Sequence, residues 1–333
     1  MATNMEGTRH QAAAIVKKYG IILVLLLMVI GLSIFQPAFR STANIINILN
    51  HTAIFGIMAV GLTFVIISGG IDLSVGSVLA FSGVIMGAMS QTAMASTPIW
   101  EAIGPFPFII ALAACLAVGS SCGAVSGSLI AQTRIPPFIA TLGMMTVARG
   151  LALIVTGGRP VSQLDPGFSA IGSRIMNNTI PVPVIIYLVV IALAWILLNN
   201  TKFGKSVYAL GSNRAAAEIS GINVKATLIK VYMLAGFLAG LAAIVFSART
   251  LSAHPGAGTG YELTAIAATT IGGTSHSGGI GTMWGAVVGA LVLAVLRNGL
   301  TLIGIHAHWQ GVIEGAIIVV AVVIDMRKNQ VKK

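Results

Sequence analysis

One acid stands out because of the apolar sequence around it. The stretch SGGIDLSVGS places Asp72 between two long apolar runs, FGIMAVGLTFVII before it and VLAFSGVIMGAM after it. A carboxylate there can act on a polar substrate or proton that crosses a membrane, or it can cap the positive end of a helix. Gly69 and Gly70 favour a break in the chain, so we expect Asp72 to accept from the N–H groups of Ser74 or Val75 at a hinge between two helices. A direct part in a gate or path is the alternative.

The other reactive residues do not form a recognisable catalytic motif. The fragment FGKS at 203–206 resembles the end of a phosphate loop, but Asn199 stands where that loop needs its other glycine. The histidines do not form an HExxH zinc motif, and no two carboxylates lie close together in the sequence. The sequence therefore predicts neither an enzyme nor a metal site.

The composition indicates an integral membrane protein. Of 333 residues, 56% are hydrophobic and 8% are charged, and the mean hydropathy is +0.95; soluble domains carry about 25% charged residues. Apolar runs long enough to cross a bilayer recur along the chain, which favours helices over barrel strands. The net charge of +11 comes from bases in short connections and at the ends, so topology explains it better than nucleic-acid binding. The predicted fold class is an all-α polytopic membrane protein.

Ten crossings are predicted from the apolar runs and their breakers. They lie near 20–36, 51–69, 73–93, 105–131, 137–156, 181–199, 228–249, 262–275, 280–303 and 308–326. The segment 37–50 alternates apolar and polar residues, so we expect a short surface helix there and not a span. Arg9, Lys17 and Lys18 place the N-terminus in the cytoplasm, and an even number of spans returns the C-terminus there. This gives a single membrane domain, 20–326, between cytoplasmic tails 1–19 and 327–333.

Two charges in the last spans are expected to meet. Arg297 lies about six residues before the end of the ninth run, and Glu314 about six residues into the tenth. Both side chains therefore sit at a similar depth, and charges inside membranes usually pair. We predict an Arg297–Glu314 ion pair that clasps two helices, which we favour over a gate. Arg149 has no partner that the sequence names.

The connection 200–227 contains a short helix signal. Ser212 or Asn213 can cap a helix that passes through Arg214 and Glu218, and Gly221 follows where a left-handed residue would end it. A helix of two turns is marginal alone in water. We therefore expect this one to pack against a partner.

Five motifs in order along the chain resemble one family. SGGIDLSVGSVLAFSG, PPFIATLGMMTVARG, LGSNRAAAEISGINV, GTGYELTAIAATTIGGTSHSGGIGTMWG and RNGLTLIGI are similar to the permeases of ATP-binding-cassette importers for ribose, xylose and galactose. The similarity covers about residues 20–326. It implies about ten transmembrane helices in a type II-importer-like bundle. It also implies a homodimer in the bacterial inner membrane, with both termini cytoplasmic.

The resemblance also implies partners and roles. A cassette ATPase, often with tandem domains, would carry ATP and Mg on a separate chain, and a periplasmic binding protein would deliver the monosaccharide; no cofactor is expected on this chain. The segment 212–224 resembles the coupling helix that docks on the ATPase, and its coupling residues would be Ser212, Asn213, Arg214, Glu218 and Gly221. Alternating access would carry the sugar along a path whose candidate residues are Thr63, Ser68, Thr141, Thr146, Thr269, Thr270 and Asn298.

Other functions stay open on sequence alone. A secondary sugar transporter or passive channel would have the same spans, but ion coupling normally needs acids at mid-membrane. Only Asp72 and Glu314 are candidates, and both lie nearer the span ends. An importer of a furanosyl signalling molecule also fits the wider family.

Overall fold

The chain is almost entirely helical. The computed structural model describes residues 20–92, 95, 96, 98–100, 106–175 and 179–330, so the predicted N-terminal tail 1–19 and residues 331–333 lie outside the described part. The helices of the first half are α1 (Gly20–Phe35), a 3-10 turn (Pro37–Arg40), α2 (Thr42–Ile67), α3 (Val75–Ser90), α4 (Phe108–Thr133), α5 (Pro137–Thr156) and α6 (Gly167–Gly172). Those of the second half are α7 (Val182–Asn200), α8 (Lys202–Ser212), α9 (Arg214–Ile219), α10 (Val224–Thr250), α11 (Tyr261–Ile271), α12 (Met283–Leu302) and α13 (Ala307–Gln330).

Every predicted crossing coincides with a helix, but the helices differ in length. Six of the described helices are long and apolar enough to cross a membrane: α2, α4, α5, α7, α10 and α12. Three shorter apolar helical stretches are Gly20–Phe35, Val75–Ser90 and His308–Val320. The protein is thus a multi-pass membrane protein, and the helix lengths alone do not establish ten complete crossings.

The second span begins nine residues earlier than the sequence predicts. Ser41 caps α2 by accepting from the backbone N–H of Asn44 at 3.3 Å, and the helix then runs without interruption from Thr42 to Ile67. The prediction of a separate surface helix over 37–50 is wrong, because α2 continues through Asn50 and His51 without a break. Only the 3-10 turn Pro37–Arg40 stands apart.

Two of the predicted crossings are half-helices preceded by extended chain. The 16 residues of α3 span about 24 Å and the 11 residues of α11 about 17 Å, less than the ~30 Å of bilayer hydrocarbon. Both half-helices begin at one place inside the bundle, because Gly76 at the start of α3 lies against the backbone of Gly258, just before α11. Non-helical backbone is tolerated at such depth only where protein covers it.

The elements α2–α5 recur as α10–α13 in the opposite orientation. Each set contains a long helix, an extended segment, a half-helix and two further helices. The end of α2 and the beginning of α10 lie at the same face, close to α8 and α9, so the two long helices run antiparallel. Helices α2 and α10 pack together at the centre and are the most buried of the long helices.

Glycines permit a close crossing of α4 and α10. Gly119 and Gly123 of α4 face Gly236 and Tyr232 of α10, and a Cβ on Gly123 would overlap with the Tyr232 carbonyl. Small residues allow such backbone contact in lipid, where apolar burial gives little net drive for association. The triple Gly119, Gly123 and Gly127 is therefore a packing seam.

Short strands build the face opposite α8 and α9. Strand β1 (Val161–Ser162) pairs antiparallel with β4 (Ser252–Ala253), and β2 (Arg174–Ile175) pairs with β3 (Ile180–Pro181). From β4 the chain passes along α3 from Gly87 towards Gly76 before α11 begins. This is how the second half-helix comes to start inside the bundle.

Candidate functional site

Asp72 lies buried at the start of the first half-helix. Its Oδ1 accepts from the Ser74 backbone N–H at 2.8 Å and from the Ser74 hydroxyl at 2.6 Å, while Ser74 occupies the N-cap position of α3. The side chain is 1% exposed, and Oδ2 has no hydrogen-bond partner among the described residues. Gly69 has φ +81°, and a Cβ on Gly70 would overlap with the Tyr232 hydroxyl. The carboxylate therefore orders the turn between α2 and α3.

Arg149 of the first repeat holds the extended segment of the second. Its Nη1 donates to the carbonyl of Pro255 at 2.6 Å and to that of Ala257 at 2.8 Å. Beside it, Glu262 in the first turn of α11 accepts from the Gly260 N–H at 3.2 Å. The sequence alone identifies no partner for Arg149, because its partners are backbone carbonyls, which are present in every residue. Arginine supplies several donors at once, which suits two adjacent carbonyls.

Arg297 and Glu314 are brought together between α12 and α13. Arg297 Nε donates to Oε1 at 2.6 Å and Nη2 to Oε2 at 2.7 Å, with side-chain exposures of 33% and 11%. The guanidinium also lies 5.0 Å from the ring centroid of Phe55, and its Nη2 is 3.4 Å from the Thr264 hydroxyl. Two parallel hydrogen bonds fix both the distance and the angle of the two helices.

Most of the candidate path residues bond within their own helices. The hydroxyls of Thr63, Thr269 and Thr270 donate to carbonyls three or four residues earlier, and all three side chains are buried. Ser68 and Thr141 do the same. Such local bonding is common for hydroxyl side chains in helices. All five side chains are buried in this conformation, and their part in a path stays a prediction.

The other two path candidates differ. Thr146 is exposed on α5, although its hydroxyl also donates to the Leu142 carbonyl at 3.1 Å. Asn298 forms a reciprocal amide pair with Asn44 near the start of α2, at 3.0 and 2.7 Å. That pair ties α12 to α2, and the sequence gives no spacing that would predict it.

The connection between α7 and α10 contains two helices, one more than predicted. Asn213 caps α9, because its Oδ1 accepts from the Ala216 N–H at 3.0 Å, while Ser212 is the last residue of α8. Gly221 has φ +80°, and the backbone bonds from Gly221 to Glu218 and from Ile222 to Ala217 end α9 in a left-handed turn. The fragment 203–206 is part of α8 and forms no phosphate loop.

The outward face of α9 carries charged side chains and one large apolar side chain. Arg214 and Glu218 are exposed, and Ile219 beside them is 89% exposed, while Ala217 is buried against the bundle. Helix α9 therefore presents one large apolar side chain beside charged ones, outside the long spans.

Comparison with known proteins decides the family. The model of the permease component of branched-chain amino acid transport systems matches residues 44–322. The chain belongs to this permease family. No solved structure matches it.

Sugar import permeases are among the relatives of this permease. It is 40% identical to the ribose import permease protein RbsC of Escherichia coli (strain K12) over 331 residues, 98% of both chains. It is 41% identical to RbsC of Bacillus subtilis (strain 168) over 326 residues, 97% of both chains. The galactose/methyl galactoside import permease protein MglC of Salmonella typhimurium (strain LT2) is 36% identical over 323 residues, covering 95% of this chain and 96% of its own. The similarity to sugar import permeases that the five motifs indicate is therefore confirmed, and the family is one of transport components rather than enzymes.

Proposed function

We propose that the chain is the membrane subunit of an ATP-driven importer that carries a monosaccharide, a pentose or hexose, through alternating access. The observation that supports this most is the similarity to ribose and galactose import permeases along almost the whole chain. ATP and Mg would bind to a separate cassette ATPase, and a periplasmic binding protein would deliver the sugar. The half-helices that meet at Gly76 and Gly258 fit this proposal, because transporters commonly place discontinuous helices around their path.

We assign α9 as the surface that contacts the ATPase. Ile219 and Glu218 are exposed side by side, and a protein partner can bury the apolar side chain and pair with the charged one. A cleft of about 350 Å³ opens beside it, lined among others by Arg134, Arg214 and Ser212. Two arginines and an exposed isoleucine suit a protein partner with acidic and apolar side chains.

The same assignment orients the chain in the bacterial inner membrane. The end that bears α8 and α9 carries Lys202, Lys205, Arg214, Lys225 and Lys230, which favours the cytoplasm by the positive-inside rule. Ten crossings, with the third and eighth completed by the extended segments before α3 and α11, then leave both termini in the cytoplasm. Exposed Arg40, Arg159 and Arg174 lie at the opposite end, where the binding protein would dock.

A second copy of the chain is proposed to cover α5 and α13. These are the last helices of the two repeats. Both carry glycines at which an added Cβ would meet no atom within 4 Å: Gly143 and Gly150 on α5, Gly311 and Gly315 on α13. Open notches of this kind allow close helix contact in lipid. A homodimer would place the two faces around a shared central path, with Thr146 of α5 exposed towards it.

Purification of the tagged chain from mild detergent tests the proposal. We expect a cassette ATPase to co-purify, and proteoliposomes that contain both chains and the binding protein to take up labelled ribose or galactose only with ATP. Persistent uptake without any ATPase would indicate a secondary transporter or channel and would refute the proposal.

A further inference from the structure

Three separate pieces of backbone meet beside the coupling surface. The carbonyl of Ile67, at the end of α2, accepts from the N–H of Gly279 at 2.8 Å, and Gly279 belongs to the connection between α11 and α12. Gly211, the penultimate residue of α8, lies against both: a Cβ there would overlap with the Ile67 carbonyl and approach the Gly279 nitrogen to 2.5 Å. We call this contact of Ile67, Gly211 and Gly279 the glycine junction.

Glycine is required on both sides of the glycine junction. Gly278 and Gly279 have φ of +79° and +72°, a backbone conformation that other residues adopt only with strain. Gly211 needs its missing Cβ for a different reason, since the backbone atoms it touches cannot rotate away as a side chain would. At the glycine junction itself the three elements therefore meet backbone to backbone.

Tyr208 fastens α8 to the same connection one turn earlier. Its hydroxyl donates to the carbonyl of Gly281 at 2.8 Å. Partial burial raises the pKa of Tyr208 above its usual value of about 10. The hydroxyl therefore stays protonated and keeps its donor role at physiological pH.

The glycine junction touches both repeats at once. From Ile67 the chain leads through Gly69 and Asp72 into the half-helix α3, and the connection that contains Gly279 joins the half-helix α11 to α12. Gly211 is only two residues from Asn213, which caps α9. Helix α8 therefore links α9 to the segment that precedes α3 and to the segment that follows α11.

We infer that Tyr208 and Gly211 are positioning residues that transmit the movement of α9 to both repeats through the glycine junction. This inference rests on the proposed function, because α9 moves only if an ATPase drives it. In this role the two residues act on helix positions and do not themselves bind the sugar or ATP. Their effect should therefore appear in the number of sugar molecules carried per ATP hydrolysed.

Reconstitution with the ATPase and binding protein tests the inference. In such proteoliposomes, Tyr208→Phe should lower the ribose or galactose uptake per ATP roughly two- to ten-fold, the range given by the loss of one neutral hydrogen bond. Gly211→Ala should abolish uptake while the ATPase still co-purifies. Tyr187→Phe is the matched control, because the buried Tyr187 hydroxyl has no hydrogen-bond partner among the described residues; its uptake per ATP should equal that of the wild type.

Each outcome decides the inference. Wild-type coupling in Tyr208→Phe would overturn it, as would equal losses of uptake and of bound ATPase, which would mean that the hydroxyl only supports folding. If the Gly211→Ala protein does not reach the membrane, the comparison of uptake per ATP between Tyr208→Phe and Tyr187→Phe still tests the inference. Uptake by the wild type without ATPase would refute the proposed function, and this inference with it, whereas coupled wild-type transport with unaltered variants would refute the inference alone.

Discussion

Arg297 and Glu314 join the last two helices of the bundle through two hydrogen bonds, at 2.6 and 2.7 Å. The carboxylate is the more deeply buried partner, at 11% exposure against 33% for the arginine. Removal of the arginine therefore leaves a charge that water reaches poorly. Apolar replacement of both partners removes that cost together with the attraction.

We predict that Arg297→Met destabilises the protein by about 1–3 kcal/mol, because Glu314 then lacks its charged partner. The double variant Arg297→Met/Glu314→Met should recover much of this loss. Thermal unfolding in detergent measures both. If the single variant melts like the wild type but no longer supports uptake, the pair acts as a gate and the clasp interpretation is wrong.

The ion pair shows what the sequence predicts well and what it does not. Counting residues from the ends of two apolar runs put Arg297 and Glu314 at one depth, and the caps Asn213 and Gly221 follow from local backbone chemistry. These predictions need only the regular rise of a helix or the preferences of one turn. Hydropathy does not distinguish a half-helix with an extended lead from a complete crossing, because both are apolar. In the sequence, α3 and α11 with their extended leading segments therefore resemble ordinary short spans.

Contacts to backbone are the second class of feature that the sequence conceals. Arg149 bonds to the carbonyls of Pro255 and Ala257, and Tyr208 to that of Gly281. Every residue has such a carbonyl, so the residue types carry no signal. Gly211 is similar: its glycine is needed because two distant segments approach it, and distant approaches follow from the tertiary fold.

Asp72 provides a second prediction. Asp72→Asn keeps the acceptor for Ser74 and removes a charge from a site that is 1% exposed. Burial of a neutral amide costs less than burial of a carboxylate, so thermal stability should equal or exceed that of the wild type, and uptake should persist. Asp72→Ala loses both bonds to Ser74 and should be less stable by about 1–2 kcal/mol. Loss of uptake in a well-folded Asp72→Asn protein would instead assign the carboxylate to the gate.

The exposed face of α9 gives a third prediction, which tests the ATPase contact. Ile219→Ser removes an apolar side chain that is 89% exposed, and Glu218→Arg reverses the charge beside it. Neither change disturbs the buried core, so the amount of folded chain should stay constant while the co-purified ATPase falls roughly ten-fold or more, as for contact residues at the centre of an interface. Ile175→Ser, at the opposite end of α7, is the control and should keep the ATPase bound. Equal retention in all three variants would exclude α9 as the docking surface.

The crossing of α4 and α10 yields the last prediction. Gly123→Ala places a Cβ on the backbone carbonyl of Tyr232, which cannot move aside without separating the two helices. Overpacking of this kind costs about 1–3 kcal/mol, so we expect a lower melting temperature in detergent and less protein in the membrane.

Gly31→Ala in α1 is the matched control, since nothing lies within 4 Å of its added Cβ. There the better helix propensity of alanine should leave stability unchanged or raise it by about 0.5–1 kcal/mol. Equal melting of the two variants would show that α4 and α10 tolerate separation, and the seam would then not be what holds the first repeat against the second.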